Sequence, residues 1–236
     1  MSGQITLLAV TAASIGFFHT LLGPDHYLPF VMMGRARNWS RARTFWITLA
    51  CGIGHVGGSI VLGAIGIALG IGITRLEIFE SVRGNLAAWV LIAFGLVYFA
   101  WGLRRAIRNK PHEHKHLHVD GLTHNHTHVH SDDHSHVHDK PAKSITPWVL
   151  FTIFVLGPCE PLIPLLMYPA ANTNLGGVVL VAAVFGVVTV GTMLSVVMLA
   201  SYGIKFIPVA RIERYTHAIA GATIFACGAA IQFLGL

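Results

Sequence analysis

Within the first sixty residues, His19, Asp25, His26 and His55 are the side chains with the clearest chemistry. Three imidazoles and a carboxylate form a donor set suited to borderline divalent ions such as nickel, cobalt or zinc, and poorly suited to magnesium or calcium. Their surroundings are apolar. The stretch HTLLGPDHYLPFVMM, residues 19–33, is interrupted by Gly23-Pro24 directly before Asp25-His26. An ionisable side chain at the centre of a bilayer costs about 3 kcal/mol, so it is kept there only when it faces protein, water or an ion. The stretch therefore reads as a cation site on a broken helix. Cys51 lies one helical turn before His55, and Cys159-Glu160 follow a second Gly-Pro pair as Asp25-His26 follow the first. The expected metal ligands are His19, Asp25, His26, His55, Cys159 and Glu160.

A second group of imidazoles lies mid-chain: His112, His114, His116, His118, His124, His126, His128, His130, His134, His136 and His138. With interspersed acids and no apolar face, this stretch reads as a flexible, non-globular linker of metal-binding composition, a capture arm for zinc, copper, nickel or cobalt.

The elements that must position these groups are membrane helices. Hydrophobic residues are 54% of the 236, charged residues only 11%, and the mean hydropathy is +0.65. That composition excludes an ordinary soluble domain. The net charge of +6 is no nucleic-acid footprint, because the basic residues fall in short gaps between apolar runs. Runs of spanning length mark six segments: 5–33 with its break, 45–73, 85–103, 147–171 with its own break, 175–204 and 216–236. Arginine and lysine concentrate in alternate gaps, at Arg35 to Arg43, at Arg104 to Lys143 and at Lys205 to Arg214, with only Arg75 and Arg83 between the second and third segments. The positive-inside rule then places both termini outside and the histidine-rich linker in the cytoplasm of a bacterial or archaeal cell.

The chain also repeats itself. LLGPDHYLPFVMM from Leu21 recurs as FVLGPCEPLIPLLM from Phe154, Val56-Gly57 correspond to Val190-Gly191, and Gly95, Gly102 and Leu103 correspond to Gly228, Gly235 and Leu236. Three segments per half is odd, so the halves enter the membrane from opposite sides. The expected fold is all-α, with six transmembrane helices arranged as two inverted three-helix repeats, 1–103 and 144–236, joined by the linker 104–143, and with helices 1 and 4 broken. Interrupted helices at matching places in two inverted halves point to a site at the repeat interface.

On the motif His19, Asp25, His26 and the histidine-rich loop, the sequence resembles the nickel/cobalt transporter superfamily, in its UreH-like and cobalt/nickel-exporter branches. Five residues separate His19 from Asp25 where the family pattern has four, so the Gly23-Pro24 break has to absorb about 100° of helical rotation. The resemblance implies transport of nickel or cobalt, with those three residues as ligands and export favoured over import. The expected partners are the divalent ion, the bilayer, a second copy of the chain and a metallochaperone. No prosthetic group is expected, only transported or bound Ni2+ or Co2+, with Zn2+ as a third candidate. The alternatives are a sulfite or organic-anion exporter, which would want a cation near mid-membrane, and a membrane metal sensor or delivery protein for metalloenzyme assembly. No HExxH and no nucleotide-binding motif is present, so an enzyme is not expected.

Overall fold

In a bilayer no water serves the backbone, so apolar segments satisfy their N–H and C=O groups internally, as helix. The computed structural model describes residues 2–108, 112–117, 123–128, 145–172, 175–203 and 213–235. Its helices are α1 (Ser2–Leu22), α2 (Leu28–Ala36), α3 (Arg41–Ala68), α4 (Ile73–Arg108), α5 (Thr146–Leu156), α6 (Leu162–Ala171), α7 (Leu175–Gly203) and α8 (Thr216–Leu234). Among the described residues five segments are long and apolar enough to cross a membrane: Gly3–Leu22, Arg41–Ala68, Ile73–Arg108, Leu175–Gly203 and Glu213–Leu234. Their outward faces carry Leu7, Ile53, Val61, Val97, Val187 and Leu199, all exposed, as lipid contact requires. The protein is an all-α, multi-pass membrane protein.

The breaks expected in 5–33 and 147–171 are present, but the described residues give five spanning helices where six segments were expected, and one boundary differs. The segment 5–33 is α1, a 3-10 turn over Pro24–His26, and α2. The segment 147–171 is two short helices, α5 with 11 residues and α6 with 10. In both places proline removes a donor and pushes the preceding glycine out of helical conformation, Gly23 to φ −85°, ψ 95° and Gly157 to φ −59°, ψ 132°. The boundary that differs is the start of α4, at Ile73 and not near 85. Leu76, Glu80, Gly84, Ala87, Leu91 and Gly95 form one buried stripe at three- and four-residue spacing, so the helix runs through charges that read as loop.

Within the linker, His112–Leu117 (β1) pairs antiparallel with Thr123–His128 (β2), with His112 opposite His128, His114 opposite His126 and His116 opposite His124. Histidine at every second position is the period of a strand, a signal the reading as a flexible segment passed over. His118, His130, His134, His136 and His138 lie outside the described residues.

Helix ends are set by local chemistry. The Ser40 hydroxyl caps α3 by accepting from Arg43 N–H at 3.2 Å. At the far end Gly70, at φ +63°, closes a Schellman turn in which Ile71 N–H reaches Gly66 O at 2.8 Å. Long-range packing follows small residues. α4 runs along α8 and α1 along α7. A Cβ at Gly221 would run into the Phe99 backbone, and one at Gly95 into the Phe225 backbone. Gly221→Ala is expected to cost about 1–3 kcal/mol through forced separation of α4 and α8, read as a lower melting temperature in detergent, whereas Gly57→Ala, with nothing within 4 Å of its Cβ, should leave it unchanged.

Candidate metal centre

Each histidine of the candidate site is placed by a different element. His19 ends α1, His26 closes the 3-10 turn, and His55 lies mid-way along α3. The break answers the spacing problem: Gly23 N–H still bonds His19 O at 3.0 Å, and the chain then turns tightly enough that His26 N–H reaches Gly23 O at 3.1 Å. The His19 and His26 rings come edge to face at 4.8 Å between centroids, and the His26 and His55 rings at 5.0 Å. One ligand nitrogen from each of the three lies within 4.8 Å of the others.

The outer nitrogens are taken. His26 Nδ1 lies 3.2 Å from both Gly23 O and Asp25 Oδ1, and His55 Nδ1 lies 3.3 Å from Phe154 O. Donation from Nδ1–H to these oxygens leaves Nε2 with a lone pair, the tautomer in which metal-binding imidazoles are usually held. Nε2 of His19, of His26 and of His55 are all buried without a hydrogen-bond partner. Such orphaned acceptors each cost free energy unless something fills the space between them. Three neutral imidazoles leave a fourth coordination position open. All three imidazoles line a cavity of about 790 Å³, walled also by Asp25 and Glu160. The donor set therefore fits a borderline divalent ion.

The other expected ligands fall elsewhere. Asp25 is joined to the cluster through His26. Glu160 is exposed on the cavity wall, outside the three-imidazole group. Cys159 is fully buried among Ala12, Val56 and Leu162, and its backbone N–H donates to Ser59 Oγ at 3.1 Å. Cys51 is buried in a separate apolar cluster with Met193. All three cysteines are free.

Sequence reasoning missed Arg83 altogether. Its guanidinium donates from Nε to Leu156 O at 3.2 Å and from Nη2 to Gly157 O at 3.1 Å and Ser59 Oγ at 2.7 Å, while Nη2 lies 3.2 Å from Glu80 Oε2. It thus holds the carbonyls that the α5–α6 break sets free, beside the Phe154 carbonyl that orients His55. The available signal was the Glu80–Arg83 pair, whose i, i+3 spacing puts both side chains on one helical face.

Glycine packing constrains the imidazoles directly. A Cβ at Gly23 would lie 2.7 Å from His26 Nδ1 and 2.9 Å from Asp25 Oδ1. Gly23→Ala is expected to push the His26 ring out of register and weaken ion binding roughly tenfold, on the scale of lost ligand orientation. Calorimetric titration with Zn2+ in detergent checks it, and unchanged affinity would show that the ring tolerates the shift.

Fold and site define a polytopic membrane protein with a buried three-imidazole cluster at a helix break. The family model described as cytochrome c biogenesis protein transmembrane region matches residues 28–230, and the chain belongs to that family. No curated protein and no solved structure matches it. Membership overturns the resemblance to the nickel/cobalt transporter superfamily, and with it the expectation of nickel or cobalt transport. That resemblance rested on a motif within one broken helix and on the composition of a linker, whereas the family match spans the body of the chain. The matched range opens just after His26, so the imidazole cluster draws His19 and His26 from outside it and His55 from within.

Proposed function

We propose that this chain is a membrane-embedded assembly factor for a metalloprotein, holding a divalent transition-metal ion on His19, His26 and His55. The family description supplies the process, biogenesis of a haem protein. The observation that carries the site is the set of three buried, unsatisfied Nε2 atoms that converge from three elements. The histidine-rich linker serves as the capture arm, and Asp25 balances charge through His26. Matching breaks at Gly23-Pro24 and Gly157-Pro158 support two inverted halves, with His55 bridging them by contacting His26 of one break and Phe154 of the other. The end rich in arginine faces the cytoplasm under the positive-inside rule.

Loss of the gene in its host should reduce haem-stained c-type cytochrome in membranes, with recovery from the intact chain but not from His26→Ala. Normal cytochrome levels without the gene would sink the assembly role. A thiol-exchange mechanism has less behind it, because all three cysteines are free and buried, Cys51 and Cys227 in one apolar cluster and Cys159 in another.

The anion-exporter reading gains one observation. Arg83, assigned by the sequence reading to a gap, belongs to the spanning helix α4 and so supplies the intramembrane cation whose absence counted against that reading. Glu80 neutralises it and its donors are committed to the α5–α6 break. Sulfite efflux from proteoliposomes loaded with the intact chain would favour that reading, and none would sink it.

A further inference from the structure

At the end of the bundle where α2 and α7 finish and α3 and α8 begin, a second cavity of about 560 Å³ opens, separate from the imidazole cluster. Arg35 and Arg41 line it, with Asn38, Ser201 and His217 as further polar groups and Glu213 as the one acid on its wall among the described residues. The two arginines share that wall because the chain between them turns tightly. Asn38 takes φ 49°, a left-handed conformation that asparagine tolerates, and Trp39 N–H then reaches Gly34 O at 2.9 Å. The Arg41 guanidinium lies 5.3 Å from the centre of the Tyr202 ring, and His217 is held by a 2.8 Å hydrogen bond between its Nδ1 and the Tyr98 hydroxyl.

Other cations gather at this end without entering the cavity. Arg37 and Arg105 lie against Trp101, and Arg43 against Trp39. Cation–π contact fixes these groups in place, and with Arg35 and Arg41 they outnumber Glu213, the one acid that lines the cavity among the described residues. The local field is therefore positive, and the cavity is the concave place within it. Val31, Ala36, Trp39 and Met198 add an apolar part to the wall, so one ligand would meet both guanidinium and hydrocarbon.

We propose that this cavity is a binding site for a phosphate-bearing anion, seated between Arg35 and Arg41. Guanidinium pairs match phosphate geometry with two parallel donors, and basic pockets between membrane helices suit anionic headgroups. The apolar wall favours phosphate carried on a lipid over phosphate free in solution.

The test uses the full chain in nanodiscs of phosphatidylcholine with and without phosphatidylglycerol, read by native mass spectrometry for lipid that survives stripping. One phosphatidylglycerol should be retained per chain, and Arg41→Gln and the double change Arg35→Gln/Arg41→Gln should lower its retention about tenfold or more. Arg75→Gln, outside the cavity, should leave retention unchanged. In parallel, inorganic phosphate is titrated into phosphatidylcholine discs. Binding there with the same sensitivity to Arg41, and no lipid retained, assigns the site to soluble phosphate and supports its chemistry. Equal retention of both lipids with no phosphate binding, or equal losses from Arg75→Gln and Arg41→Gln, would overturn the proposal. Melting temperatures of all variants separate lost binding from lost folding.

Discussion

His26→Ala and His55→Ala are each expected to lower the affinity of the purified protein for Co2+ or Zn2+ by about a thousandfold or more. Loss of an outer-shell partner of a metal ligand typically costs 10- to 100-fold, and here a ligand itself is removed. Both rings are buried and oriented by carbonyl oxygens, His26 by Gly23 O and His55 by Phe154 O, so neither can be replaced by a neighbour swinging in. His19 is only partly buried, and a water could take its place, so His19→Ala should cost less. Cys159→Ser should cost nothing, because that thiol lies outside the cluster. The measurement is Co2+ absorption and calorimetry on a chain lacking 112–138, so that the linker imidazoles do not mask the site. One equivalent of tetrahedral Co2+ in the parent and none in His26→Ala is the expected pair of results. Equal binding in both would mean that the three Nε2 atoms do not form a site.

Arg83→Gln should destabilise the fold by about 3–5 kcal/mol, the usual cost of removing one partner from a buried ion pair. Glu80 is 1% exposed, and without the guanidinium its carboxylate has no compensating charge beside it. The Leu156 and Gly157 carbonyls lose their donor at the same time. If the destabilisation comes from the stranded carboxylate, Glu80→Leu/Arg83→Met should recover much of it, because apolar replacement of a buried pair is often close to neutral. Equilibrium unfolding in mixed micelles reads both variants. A change below about 0.5 kcal/mol for Arg83→Gln would place it with ordinary surface substitutions and show that the pair bears little of the structure.

Much of this protein was legible in its sequence because the information is local. Uninterrupted apolar runs of spanning length require helices in lipid wherever they occur, so the membrane class follows from hydropathy alone. Gly23-Pro24 and Gly157-Pro158 break helices through proline chemistry that needs no tertiary context, and both breaks stand where the sequence puts them. His19, Asp25, His26 and His55 stand out because an ionisable group in an apolar run is costly wherever it ends up.

The selection among those candidates belonged to the tertiary structure. His55 joins His19 and His26 only because α3 packs against the α5–α6 break, a contact across 99 residues between His55 and Phe154, while Cys159 and Glu160, equally prominent in the sequence, turn to an apolar cluster and to the outer cavity wall. Arg83 shows the same division from the other side. Its charge marks a gap when hydropathy is averaged along the chain, yet a helix interior accepts it because Glu80, Ser59 and two freed carbonyls surround it. Burial of charge depends on partners distant in sequence, and no local pattern records which partners will meet.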